Sequence, residues 1–200
     1  REVRRSLPGG ISQDFVYDVA GRLAGTVTRQ NGRCTGGEAL VHDQEGRIVA
    51  RIDFRGTWQS YEWDAQGRLE AWQYPAEEKW LALGKSDMED AGLAAGPAKT
   101  RFVVPSGDLG TGLREAWEQV FRAEGTCPPL GQNCAMDTYG YTSEGHMAWI
   151  RHPQGEISQS WTPDGALLRR GLTRYSWSAA GNLVQICKET TTLGFSYDAK

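Results

Sequence analysis

Three histidines, four cysteines and a cluster of acids are the residues of this chain whose types could do chemistry. His42, His146 and His152 stand far apart in sequence. No His-Glu-x-x-His, Gly-x-Ser-x-Gly or phosphate-loop pattern accompanies them. Cys127 and Cys134 bracket a short loop in which Pro128, Pro129 and Gly131 bend the chain back on itself. A Cys127–Cys134 disulfide is expected there, leaving Cys34 and Cys187 to pair across the fold. Four reduced, buried thiols are the alternative. No Cys-x-x-Cys or paired-His spacing suggests zinc. The even cysteine count and the well-formed loop favour an oxidising compartment, periplasmic or extracellular, with a cytoplasmic location left open. Asp87, Glu89 and Asp90 form an acidic cluster that reads either as a solvated loop or as a contact for a cation or a basic partner. The stretch 107–112 precedes a helix as a phosphate cradle would. Its glycines do not match G-x-G-x-x-G, and no βαβ unit precedes it. The expectation is a protein without catalytic residues, metal or cofactor.

The elements that would position these residues follow from composition and pattern. The chain is 39% hydrophobic and 10% aromatic, with 25 Gly and 8 Trp among 200 residues, which suits short strands and tight turns. Its net charge of -3 argues against a general nucleic-acid binder, which needs cations to displace phosphate counterions. No apolar run approaches the roughly 20 residues of a spanning helix.

One heptapeptide pattern recurs: aromatic, then Asp, Ser or Thr, then two free positions, Gly, a polar residue and an aliphatic. It starts at Tyr17, His42, Trp63, Tyr141, Trp161 and Trp177, and again at Tyr197. The second position is Asp18, Asp43 and Asp64 in the first block, and the glycines are Gly21, Gly46, Gly67, Gly145, Gly165 and Gly181. Each position has a reason. A side-chain acceptor at the second position can bond its own backbone two residues on. Two αR residues make a type I turn, and Gly takes the positive φ that closes the hairpin with a bulge. The aliphatic then re-enters the next strand. A second aromatic often lies two residues earlier, as in Phe15/Tyr17, Tyr61/Trp63 and Tyr175/Trp177, so stacked hairpins would present aromatics along one face. The turn accounts for the repeated acids. Arg22, Arg47 and Arg68 are expected to pair with nearby acids or lie over aromatic faces.

This pattern resembles the YD-repeat, or RHS-repeat, family over about 15–74 and 139–200. The Gly-Arg-aliphatic core of the first three units carries the likeness. Later His146, Ala166 and Asn182 replace Arg, and Thr or Ser replaces Asp. The resemblance implies a long spiralling β-sheet, which large members wrap into a hollow shell around a toxin polypeptide and others use in cell-surface adhesion. The family's Asp-Pro-rich boundary motif is not found, and a closed shell needs more strands than these units supply. The chain then reads as a fragment of a larger RHS protein or as a small stand-alone relative.

Residues 75–138 break the period. The run 76–83 could form a short helix with acids in its first turn. The segment 100–105 reads as a strand, and 106–112 as a turn-rich loop. The strongest helix signal is 113–124, where Leu113, Trp117, Val120 and Phe121 make one apolar stripe, with Thr111 as N-cap and Gly125 as the stop. It would cover one face of the sheet or meet a partner. A partner contact is sought at Trp80, Asp87, Glu89, Asp90, Trp117 and Phe121.

The fold expected is mainly β: repeated antiparallel hairpins in an extended twisted sheet, 1–74 and 139–200 in one continuous sheet and domain, with a small α-containing insertion. The function expected is non-enzymatic protein binding in a bacterial toxin system, first as an immunity protein against a secreted effector. The alternatives are a fragment of an RHS toxin-encapsulating shell, a carbohydrate-binding surface module, or a hydrolase with its site at 84–112. The partner would be a cognate toxin or the rest of an RHS polypeptide, with carbohydrate possible in the third reading and nucleic acid in none.

Overall fold

The computed structural model describes residues 2–76, 100–153, 155–188 and 191–197. The repeat glycines decide where its strands end. Gly21, Gly46, Gly67, Gly145, Gly165 and Gly181 all take positive φ, between 75° and 89°. In each turn the Gly N–H donates to the carbonyl of the second repeat residue, as Gly21 to Asp18 at 2.9 Å and Gly165 to Thr162 at 3.0 Å. The pairing register then shifts by one residue just before the aromatic, at Val16/Tyr17, Val41/His42, Glu62/Trp63, Ser160/Trp161 and Ser176/Trp177. This is the bulged hairpin the pattern predicts.

The structure is mainly antiparallel β, and the chain divides into two compact units. The first, Arg1–Pro75 with Arg101–Cys134, carries β1 (Arg4–Leu7), β2 (Ile11–Tyr17), β3 (Leu23–Gln30), β4 (Arg33–His42), β5 (Ile48–Asp53), β6 (Trp58–Trp63), β7 (Leu69–Pro75) and β8 (Arg101–Val103). Strands β1 to β7 pair each with the next in sequence. A helix, α1 (Gly107–Phe121), and a one-turn 3₁₀ segment, Arg122–Glu124, follow. The second unit, Ala76–Thr100 with Ala135–Lys200, holds most of β9 (Gln132–Tyr141), then β10 (Met147–His152), β11 (Gly155–Trp161), β12 (Leu167–Arg170), β13 (Thr173–Trp177), β14 (Leu183–Lys188) and β15 (Thr191–Gly194). These too pair in sequence order, which leaves the sheet open.

In the first unit one sheet face is closed by α1. Ala39, Ala50, Ile52 and Trp58 from β4, β5 and β6 meet Leu113, Trp117, Val120 and Phe121 of the helix. Leu113, Phe121, Ile52 and Trp58 are fully buried, each stabilising by about 1.5–3 kcal/mol or more. The indole N–H groups are satisfied: Trp58 Nε1 donates to Leu130 O at 2.7 Å, and Trp117 Nε1 to Phe54 O at 3.2 Å. The helix starts earlier than its apolar stripe suggests. Residues 107–112 form its first turns, neither a turn-rich loop nor a phosphate cradle, and the N-cap is Ser106 where Thr111 was expected. Packing overrides the poor helix propensity of glycine. A Cβ on Gly110 would lie 2.5 Å from Pro105 O, so only glycine permits that approach.

The second unit has a different face chemistry. The Trp149 indole lies on Gly140, where a Cβ would be 2.1 Å from its ring. The Arg151 guanidinium sits 4.3 Å from the Trp149 ring centre, and His146 stacks on Trp161 at 5.2 Å and 25°.

Candidate functional site

The repeat turns of the first unit form a row of ion pairs. Asp18, Asp43 and Asp64 each accept the backbone N–H four residues on at 2.8 Å with one carboxylate oxygen. The other oxygen takes Nε of Arg22, Arg47 or Arg68 at 2.7 Å. These contacts hold all three carboxyls below their ordinary range; at Asp18 the Arg22 side chain is the main cause. Arg22 Nη1 also donates to Asp43 O at 3.0 Å, tying one turn to the next. The arginines are therefore engaged within the fold.

A second link runs from one repeat to the next through the aromatic slot. Trp63 Nε1 donates to Ile48 O at 2.9 Å, Trp161 Nε1 to Met147 O at 2.6 Å, and Trp177 Nε1 to Leu167 O at 2.7 Å. Tyr197 Oη reaches Leu183 O at 2.8 Å in the same way. In each case the acceptor is the aliphatic that ends the preceding repeat heptapeptide.

The sheet face of the first unit opposite α1 is polar and aromatic. Ile52 and Trp58 point to the helix, so Arg51 and Gln59 point away. Gln59 is 8% exposed, and its Oε1 accepts from Arg51 Nη2 at 3.0 Å, Tyr61 Oη at 3.1 Å and Trp72 Nε1 at 3.1 Å. Trp72 and Tyr74 rings lie 4.4 Å apart, and Arg51 faces Glu38 at 3.6 Å. Burial pushes the Tyr61 phenol up. Gln59 thus fixes one arginine and two aromatic rings side by side on this face.

Of the residues sought as a partner contact, Trp117 and Phe121 are among the described residues. Trp80, Asp87, Glu89 and Asp90, with the helix expected at 76–83, lie outside the described residues. Trp117 and Phe121, at 2% and 0% exposed, are the underside of the lid over β4 to β6. The expected Cys127–Cys134 disulfide is not formed: all four cysteines are free. Cys134 Sγ, on the buried side of β9, accepts from Gln132 Nε2 at 3.4 Å, while Cys127 Sγ turns to Pro128 O. The loop closes instead through Leu130, which takes the Trp58 indole, and Gln132, whose Nε2 donates to Trp58 O at 2.7 Å while its Oε1 accepts from Trp58 N. Burial pushes the Cys34, Cys127 and Cys134 thiols up, which disfavours the reactive thiolate.

The histidines form no catalytic constellation among the described residues. Burial, then Arg22, lowers the basicity of His42 in its aromatic slot. His152 Nε2 stands 3.8 Å from Asp137 Oδ1 in the second unit, beyond hydrogen-bond range. Burial with Asp137 and Tyr141 pushes the neighbouring Tyr139 phenol up. No group of three or more His, Cys, Asp or Glu among the described residues is placed to hold a metal ion, and no described helix is long and apolar enough to cross a membrane.

No family model and no curated protein matches the sequence. The fold is found in solved structures. One is the Tc holotoxin pore of Photorhabdus luminescens in a TccC3 mutant form, similar at a TM-score of 0.51 and 13% identity over 92% of this chain and 9% of that one. Another is the TcdB2-TccC3-TEV crystal structure, at a TM-score of 0.50 and 12% identity over 96% of this chain and 10% of that one. The chain thus spans about a tenth of the length of these neighbours.

Proposed function

We propose that this chain is a non-enzymatic repeat scaffold of a bacterial toxin system, acting as one sector of an RHS-type sheet that contacts another polypeptide. One observation carries the reading. Four aromatic slots hydrogen-bond a carbonyl of the repeat before them, Trp63 to Ile48, Trp161 to Met147, Trp177 to Leu167 and Tyr197 to Leu183, so the sheet is extended by repeating one step. A device of that kind builds walls. The likeness in fold to about a tenth of two toxin-complex chains supports the same reading. The engaged arginines and carboxylates of the turn row support a structural role for the repeat. The surface offered to the enclosed or bound polypeptide is the Gln59 face with Tyr61 and Trp72.

Expression of the complete reading frame that encodes the chain, followed by electron microscopy and limited proteolysis, tests this. A repeat-walled particle that shields an internal segment from protease is the expected result. A separate product of this size that binds a co-encoded toxin and restores growth to cells making it would replace the scaffold with an immunity protein.

A further inference from the structure

The β12–β13 hairpin of the second unit carries two arginines face to face. The register sets Arg169 of β12 directly opposite Arg174 of β13, and both are exposed. Like charges placed directly across a ladder repel and destabilise the pair. Three arginines on other strands face acids: Arg51 meets Glu38, Arg151 meets Glu156 and Arg4 meets Asp14. Arg169 instead turns its Nε onto the Gly171 carbonyl of its own turn at 2.7 Å. Neither Arg169 nor Arg174 meets a carboxylate among the described residues. Between 155 and 188 the chain's acids are Glu156, already taken by Arg151 at 2.9 Å, and Asp164, in the turn at the other end of β12. Glu189 lies outside the described residues. The register neighbours on this face are small and polar or thiol: Ser160 opposite Arg169 and Cys187 opposite Arg174.

We propose that this face is a docking surface for a carboxylate-rich extended segment of a partner polypeptide, held by Arg169 and Arg174. Guanidinium groups take carboxylates through paired hydrogen bonds, and one acid set between the two arginines turns their repulsion into attraction. Ser160 adds a hydroxyl beside them. The net charge of -3 disfavours a nucleic acid, whose binding rests on many cations at once. The inference concerns one hairpin and stands apart from the scaffold reading.

The test uses the full chain and fluorescence anisotropy with three labelled probes: a peptide alternating Glu and Ser, the same peptide with Gln for Glu, and a single-stranded oligonucleotide. The acidic peptide is expected to bind and the neutral one not. The affinity should fall about tenfold in R169Q/R174Q and steeply with added salt. R169K/R174K, which keeps the charge but loses the paired hydrogen bonds, should bind at a strength between the parent and R169Q/R174Q, and R4Q/R5Q on the first unit should leave binding unchanged. Equal binding of the two peptides, undiminished binding by R169Q/R174Q with a parental circular-dichroism spectrum, an equal loss in R4Q/R5Q, or preference for the oligonucleotide would each overturn the proposal.

Discussion

Trp63 donates its indole N–H to the carbonyl of Ile48 at 2.9 Å, so the aromatic that opens one repeat is anchored on the aliphatic that ends the preceding repeat heptapeptide. Ring packing alone would accept Phe at this slot. The slot holds Tyr17, His42, Trp63, Tyr141, Trp161, Trp177 and Tyr197, and never Phe. A polar hydrogen on an aromatic body is what the position selects. Trp63→Phe keeps most of the apolar contact and loses the donor. It should cost about 0.5–1.5 kcal/mol. A urea unfolding curve followed by far-ultraviolet circular dichroism would show a lower midpoint at unchanged slope, and no change in midpoint would mean the bond is incidental.

Two glycines of α1 should respond to alanine with opposite signs. In an exposed helix interior, Gly→Ala stabilises by about 1 kcal/mol. At Gly112 the new methyl would meet Val41 Cγ1 at 3.4 Å, an ordinary contact, so Gly112→Ala should raise the melting temperature. At Gly110 it would lie 2.5 Å from Pro105 O, so Gly110→Ala should lower it despite the better propensity. Parallel thermal melts decide this, and a rise in both variants would show that α1 can drift off Pro105.

Much of the fold was legible because the repeat is local chemistry. Asp, Gly and an aliphatic at fixed offsets specify one hairpin whatever surrounds it. The turn Asp53–Thr57 has the same hydrogen bonds, Asp53 N to Thr57 O at 2.8 Å and Gly56 N to Asp53 O at 3.1 Å, yet it escaped the pattern. Its slots are inverted: Ile52 stands where an aromatic was sought and Trp58 where an aliphatic was. Both face α1, and core packing chose them. Asn31-Gly32, with φ of 51° and 80°, is a tight hairpin turn whose signal lay in plain view. The candidate site was not legible in this way. Gln59 gathers three donors only after β5, β6 and β7 are aligned. Trp117 and Phe121 looked like contact residues because an amphipathic helix does not say whether its apolar face meets its own sheet or another protein.

The cysteines should titrate as four thiols under denaturing, non-reducing conditions. In the native protein Cys134, at 3% exposure and with burial raising its pKa, should be the slowest to react with a thiol reagent at neutral pH. Cys127→Ser should leave the denaturation midpoint little changed, because no cross-link is lost. Mass spectrometry of the alkylated protein would detect a Cys127–Cys134 bridge as a deficit of two labels, and that result would reverse the assignment.

Acid should weaken the first unit partly through Asp14. The Arg4 side chain, followed by Arg29, holds the Asp14 carboxyl below its ordinary value. Arg29 also pairs with Glu124, in the 3₁₀ turn after α1, so the network joins β1, β2, β3 and the end of the lid. A carboxyl depressed in the folded state binds its proton more readily when unfolded. Its stabilisation is therefore complete above the unfolded value of about 3.9 and is lost as pH falls through the lower folded value. Asp14→Asn removes the titrating group. The wild-type advantage over that variant should be greatest near neutral pH and close progressively below about pH 4. Arg4 is 63% exposed, so added salt should shrink the advantage at every pH. Urea midpoints for both proteins at several pH values, with and without salt, check the sign, and a gap that widened on acidification would show that Asp14 is not the carboxylate these arginines hold.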